Sequence, residues 1–353
     1  MSARYPGDTQ DALSIDDSPM PNWWNSPDIG VNAFGGAVAD EGANTIHLRV
    51  HLGAGETFSD SQAEIEVFVG NPSLVMTPTS GTINLGTVLV AKTDFPAGGG
   101  SVETELPWNV TVDPADPGGI DQPGHRCLIA RVYPFTSGKP SDFQVPTDQH
   151  EAQRNLCIVE CADAGGAGGA GGGLIGAPGG EIQMGPGDDG LWGFMIDTTT
   201  PFEEQGELVT VRATRPLALD RATLKLVMPI LERAGFRGFA AEPPPKFALE
   251  LAEGGEPGTK RGAMTTRVSP LDRFVTRLPG LIREPLLKLP VFGRKTPRFE
   301  LDVKLEPKRM ARLALKADLR KTRRGQAHVF HIEQTGSKQQ VQGGLTLVLV
   351  KVD

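Results

Sequence analysis

The sequence predicts an all-β protein: two β-sandwich domains joined by a glycine-rich linker, with short helical insertions in the second. Three observations carry this. Stretches such as TIHLRVHL (45–52) and AEIEVFVG (63–70) alternate apolar and polar residues, the period-2 pattern of strands with one buried and one wet face. Clusters of Gly, Pro, Asn and Asp punctuate them, as in DFPAGGG and DPADPGGIDQPG, which are turn chemistry. Residues 161–180 read CADAGGAGGAGGGLIGAPGG. Glycine loses the most backbone entropy on folding and brings no side chain to bury, so such a run reads as a tether.

In the first half, Ile46, Leu48, Val50 and Leu52 share one face of the first strand, and Ile65, Val67 and Val69 one face of the second. Further strands are expected at 86–91, 101–110, 126–133 and 155–160. Six or seven short strands in such a length indicate a β-sandwich. After the tether the pattern resumes at 190–198, 206–214, 247–254, 298–307, 312–319, 327–336 and 343–352. The last is almost continuously apolar, as a strand covered on both faces should be. Segment 222–236 reads as a short helix or an edge strand, because Pro229 interrupts it. Segment 269–289 carries Leu271, Phe274, Val275, Leu278, Leu281 and Ile282 at helical spacing. It reads as amphipathic turns capping the sandwich, with a membrane-lying helix bearing Arg273, Arg277, Arg283 and Lys288 as the alternative. The expected organisation is therefore a polar arm (1–21), an acidic sandwich (22–161), a flexible linker (162–187) and a basic sandwich (188–353).

Charge is divided unevenly. The net −8 of the 353 residues splits into −14 over residues 1–160 and +6 over the remainder. Two such halves should attract, within one chain or between copies. The N-terminal stretch is acidic and lacks an apolar core, so no classical signal peptide is expected; the protein is cytoplasmic by default or exported by a non-classical route. No apolar run is long enough to span a membrane as a helix.

The opening WWNSPDIGV (23–31), the strand NTIHLRVHL (44–52) and the closing LPWNV…GHRCLIARVY…VPTDQHEAQRNLCIV (106–159) resemble bacterial Ig-like adhesion modules of the CARDB-like kind. The matching positions are Trp24, Pro27, Asp28, Ile29, Trp108, Asp148 and Asn155. His51–Leu52 departs from the asparagine-type turn of the pattern, and Ala152–Gln153–Arg154 from its acidic pair. The second half is similar to Ig-like or fibronectin-III-like domains more loosely, through AHVFHIEQ and GGLTLVLV. The resemblance implies two Ig-like sandwiches and a binding role, and it carries over no catalytic residue.

No arrangement of residues in the chain builds a catalytic or cofactor site of known type, and none is expected. Cys157 and Cys161 form a C-x₃-C pair with no second pair; with Cys127 and His125 they do not match zinc spacing. Cys127 and Cys157 read as small core residues on neighbouring strands, a disulfide in an oxidising compartment being the open alternative. His47 and His51 lie too far apart on one strand face to share a metal, and His328 and His331 point to opposite faces. His150, near Asp148, Glu151 and Arg154, reads as part of a polar turn stapling two strands. Asp113, Asp116, Asp188 and Asp189 read as turn formers, with calcium the alternative. The strongest candidate surface is the basic run Lys308, Arg309, Arg312, Lys316, Arg320, Lys321, Arg323 and Arg324. It suits a protein or anionic-glycan partner. The absence of aromatic residues over 300–327 argues against nucleic acid. The expected function is non-catalytic binding or scaffolding in a bacterial surface or secreted assembly. The alternative is an accessory targeting module of a hydrolase or toxin system.

Overall fold

A computed structural model describes residues 13–15, 22–79, 81–115, 119–161, 192–201, 206–216, 218–241, 244, 246–253, 260–267, 296–306 and 310–352. The linker expected at 162–187 and the amphipathic insertion expected at 269–289 lie outside them.

The described chain is all-β with a single α-helix. Its first strands are β1 (Leu13–Ile15), β2 (Ile29–Val31), β3 (Val38–Ala39), β4 (Gly42–Leu52), β5 (Gln62–Gly70), β6 (Thr82–Ala91), β7 (Gly100–Val110), β8 (Gly124–His125), β9 (Cys127–Pro134) and β10 (Glu151–Arg154). Strand β4 pairs antiparallel with β7 on one side and with β1 and β2 on the other. The facing sheet runs β10-β9-β5-β6. Apolar residues at alternate positions of both sheets, among them Ile46, Leu48, Val50, Ile65, Val67, Leu128, Ala130 and Val132, form one core. Leu13 and Ile15 lie in the stretch read from sequence as a polar arm, yet both are fully buried in this core. Three residues are too few for periodicity to reveal them.

The remaining elements are β11 (Leu156–Cys161), β12 (Trp192–Thr198), β13 (Glu207–Thr214), α1 (Arg221–Arg233), β14 (Gly238–Phe239), β15 (Phe247–Glu253), β16 (Lys260–Arg267), β17 (Thr296–Leu305), β18 (Ala311–Ala317), β19 (Gln326–Thr335) and β20 (Val341–Lys351). One sheet runs β11-β20-β19-β13-β17-β16, with β14 beside β19, and faces a three-stranded sheet, β12-β18-β15. Strand β11 precedes the glycine run, yet it pairs in parallel with β20 from Leu156↔Thr346 to Cys161↔Lys351. The chain therefore changes sheets at Asn155, between β10 and β11.

Segment 222–236 is a helix over most of its length. Asp220 caps it, its Oδ1 accepting from the backbone N–H groups of Ala222 (3.1 Å) and Thr223 (2.9 Å). Thr223, Val227 and Leu231, four apart, form its buried stripe. Pro229 lies on the exposed face, away from that stripe. Gly235, at φ +72°, ends the helix. Val227 and Leu231 pack on Ile158, Val329, Val348 and Val350, while Leu345, Leu347 and Leu349 face the other core. Both faces of β20 are thus covered, which accounts for its apolar run.

The two halves meet along a buried seam. Leu74 and Val75, from the loop after β5, join the core of the second half. Trp24 Nε1 donates to Thr346 Oγ1 at 3.0 Å and Asn25 Nδ2 to the same oxygen at 2.9 Å. Thr346 Oγ1 also lies 3.0 Å from His331 Nδ1. Asn155 is fully buried, and its Nδ2 donates to the carbonyls of Ser73 and of Gly344, the latter at 2.7 Å. These contacts are apolar packing and neutral hydrogen bonds.

Candidate functional site

The basic run divides when it folds. Its strand portion is the centre of the three-stranded sheet, where Leu313 and Leu315 face the core and Arg312 and Lys316 the other side. Register sets Asp197 of β12 directly opposite Arg312, and Arg312 Nε donates to Asp197 Oδ1 at 2.9 Å. Lys316 Nζ lies 3.0 Å from Glu250 Oε2 on β15. Arg320 grips Asp318 with two hydrogen bonds, Nε to Oδ1 at 2.9 Å and Nη2 to Oδ2 at 2.7 Å. These bonds hold the Asp318 carboxyl below its ordinary range. Arg312 and Lys316 thus pair with carboxylates of their own sheet, and Arg320 with Asp318 in the turn that follows it. Lys308 and Arg309 lie outside the described residues.

Lys321, Arg323 and Arg324 are exposed at the turn between β18 and β19. The turn is held by Gln326 N donating to Arg323 O at 2.9 Å, and by Gly325 at φ +78°. Exposed Arg237 joins them: its backbone N–H donates to Gly325 O at 2.7 Å, and its side chain lies across Gly325 so closely that a Cβ there would stand 2.7 Å from Arg237 Cγ. Four cations from two distant segments therefore share one end of the second sandwich. Arg237 was invisible to sequence reasoning because it belongs to no charge run; the pairing of β14 with β19 brings it there.

The histidines serve the fold. His47 Nδ1 lies 3.2 Å from Glu105 and His51 Nε2 2.9 Å from Asp28, so each has its own carboxylate. Buried Asp28 also receives Arg49 Nη1 at 2.8 Å. His150 stacks on Tyr133, ring centroids 4.7 Å apart, and its Nδ1 is 2.7 Å from Asp148 Oδ1. Tyr133 donates to Asp148 Oδ2 at 2.6 Å. These bonds pull the Asp148 carboxyl down against its burial. Neighbouring Glu151 is pushed up to about 8, chiefly by burial, with Asp148 adding to it. His125 Nε2 lies 2.8 Å from Ile158 O, across the seam. His328 contacts Thr322 at 2.8 Å. Burial draws His125, His328 and His331 down to about 4.

No cluster of three or more metal-ligating side chains occurs among the described residues. Asp113 Oδ1 accepts from Ala115 N at 2.8 Å, an Asx turn; Asp116, Asp188 and Asp189 lie outside the described residues. Cys127, Cys157 and Cys161 are buried thiols. A cleft of about 260 Å³ separates residues 31–40 from the Leu226–Arg233 face of α1, with Asp40 and Arg233 as its charged lining.

No protein-family model and no curated protein matches the chain. Solved structures similar to it include the collagen adhesin CNA from S. aureus, 7% identical with a TM-score of 0.20, covering 93% of this chain and 94% of that one. The Enterococcus faecalis MSCRAMM ACE is 9% identical, TM-score 0.22, covering 94% and 98%. The enterotoxigenic E. coli CFA/I adhesin CfaE (mutant G168D) is 10% identical, TM-score 0.22, covering 99% and 90%. Scores this low do not establish a common fold.

Proposed function

We propose that the chain is a non-catalytic binding protein, its two sandwiches acting as spacer and docking surface in a bacterial surface or secreted assembly. The observation that supports this most is the basic turn. Lys321, Arg323, Arg324 and Arg237 are exposed at one hairpin end, and Arg312 and Lys316 pair with carboxylates of their own sheet. Cations clustered on one turn favour an acidic protein face through charge complementarity. The buried titratable groups of the first half staple strands beneath the surface, which is a structural use.

The test is capture of partners from native extract by the full chain over a salt series, beside the Lys321→Glu, Arg323→Glu, Arg324→Glu triple variant. The reading expects a protein partner whose retention falls with salt and with charge reversal, at unchanged thermal stability. Retention of a glycan or of a second copy alone, or salt-independent behaviour identical in the two proteins, overturns it.

A further inference from the structure

Cys127 opens β9 and Cys157 is the second residue of β11, so the two belong to different sheets. The β9–β10 register pairs Leu128 with Arg154, which sets Asn155 across from Cys127, and the Cys127 thiol touches the Asn155 side-chain oxygen. In extended chain, residue 157 projects to the same side as residue 155. The two thiols accordingly meet: Cys157 is in hydrogen-bond contact with Cys127. Both are sealed in, at 0% and 1% exposure. Cys161, four residues along β11 and also buried, is placed a further two strand steps from this meeting point.

We propose that Cys127 and Cys157 form a disulfide as the protein folds, a covalent staple between the first sandwich and the seven-stranded sheet at the point where the chain crosses the seam. The oxidant is a small or protein disulfide. One cysteine, as thiolate, attacks it and releases one reduced thiol. The second cysteine, as thiolate, then attacks the mixed disulfide and releases the other. Two protons leave the cysteines, and two electrons pass to the oxidant. The reaction belongs to the folding chain, because the closed seam leaves no path for the oxidant. The Cys127 contact and burial push the Cys157 thiol well up, against the opposing pull of Arg154 and Arg126, so the closed seam keeps it protonated and the exchange belongs to the open chain. A persistent bond of this kind fits a chain that works in an oxidising compartment, and it holds whatever the basic turn binds.

The experiment refolds the full chain with oxidised glutathione or with dithiothreitol, denatures each sample in excess N-ethylmaleimide, and reads intact mass and a non-reducing peptide map. The oxidised chain is expected to take up one maleimide and the reduced chain three, with a single cross-link joining the peptides that contain Cys127 and Cys157. A loop of about 30 residues should shift the folded-to-unfolded ratio roughly 10²–10³-fold in favour of the oxidised form in urea. Cys161→Ala should leave the cross-link intact, whereas Cys127→Ala and Cys157→Ala should each abolish it. Three maleimides after oxidising refolding, stable glutathione adducts in place of the cross-link, or a cross-link through Cys161 overturns the proposal. The wild-type masses decide the matter even if a variant fails to fold.

Discussion

Replacing Gly344 with alanine adds one methyl group against the Trp24 ring in the seam. A Cβ there would stand 2.3 Å from Trp24 Cε3 and 2.4 Å from Cδ2, far inside van der Waals contact with a rigid ring. The indole must move, and its hydrogen bond to Thr346, 3.0 Å in the native seam, moves with it. Overpacking costs about 1–3 kcal/mol, and the lost bond about 1 kcal/mol more. Reduced freedom of the unfolded chain returns about 0.4–1 kcal/mol, so the net destabilisation is about 1–3.5 kcal/mol. Gly193→Ala is the control, because no atom lies within 4 Å of its added Cβ; the same entropy effect should leave it neutral or slightly stabilised. Urea unfolding followed by tryptophan fluorescence measures both. A Trp24→Ala background, itself costing about 3–5 kcal/mol, completes a double-mutant cycle. There the Gly344→Ala penalty should fall to within about 0.5 kcal/mol of zero. An unshifted midpoint for Gly344→Ala, or an undiminished penalty in the Trp24→Ala background, refutes the reasoning.

Stability should peak near pH 6.5. His125, His328 and His331 are drawn from their ordinary 6.5 to about 4, so below 6.5 the unfolded chain binds protons that the folded one refuses, and stability falls as pH drops toward 4. Glu151, raised from 4.5 to about 8, acts oppositely: its contribution is full below 4.5 and is lost as pH rises toward 8. Each group changes stability by at most about 1.4 kcal/mol per pH unit, so three histidines make the acid limb the steeper; urea midpoints at about pH 5, 6.5 and 8 measure it, and Glu151→Gln should flatten the alkaline limb and steepen the acid limb, where Glu151 opposes the histidines. Asp220→Ala removes the cap that holds the first N–H groups of α1 and should cost about 1 kcal/mol in the same assay. An unchanged midpoint would show that packing of the buried stripe alone holds the helix.

The long strands were legible because each carries its own periodic signal. Alternation located β4, β5, β7, β13 and β18 to within a few residues, and the apolar run of β20 announced a strand covered on both faces. Short elements were not legible: β1, β3, β8, β10 and β14 have two to four residues each, too few for a period, and exist because a neighbouring strand offers hydrogen bonds. Segment 222–236 stayed ambiguous because Pro229 removes a helical hydrogen bond, and the packing of Val227 and Leu231 that supports the helix across it is a tertiary fact. The basic run showed its charges but not their pairing. Nothing local says that Asp197 will lie opposite Arg312, or that Arg237 will cross to Gly325.

The sequence by itself determined an all-β chain with most of its strands, because hydrophobic alternation is a local property that burial then rewards. Tertiary structure alone decided that β11 leaves the first sandwich to pair with β20, and that Trp24, Asn155, Thr346 and His331 converge on one seam. It also decided which cations remain at the surface. The physical reason is that strand pairing, thiol contact and ion pairing join residues tens to hundreds of positions apart. Their partners are selected by the shape and register of whole sheets, to which no window of sequence has access.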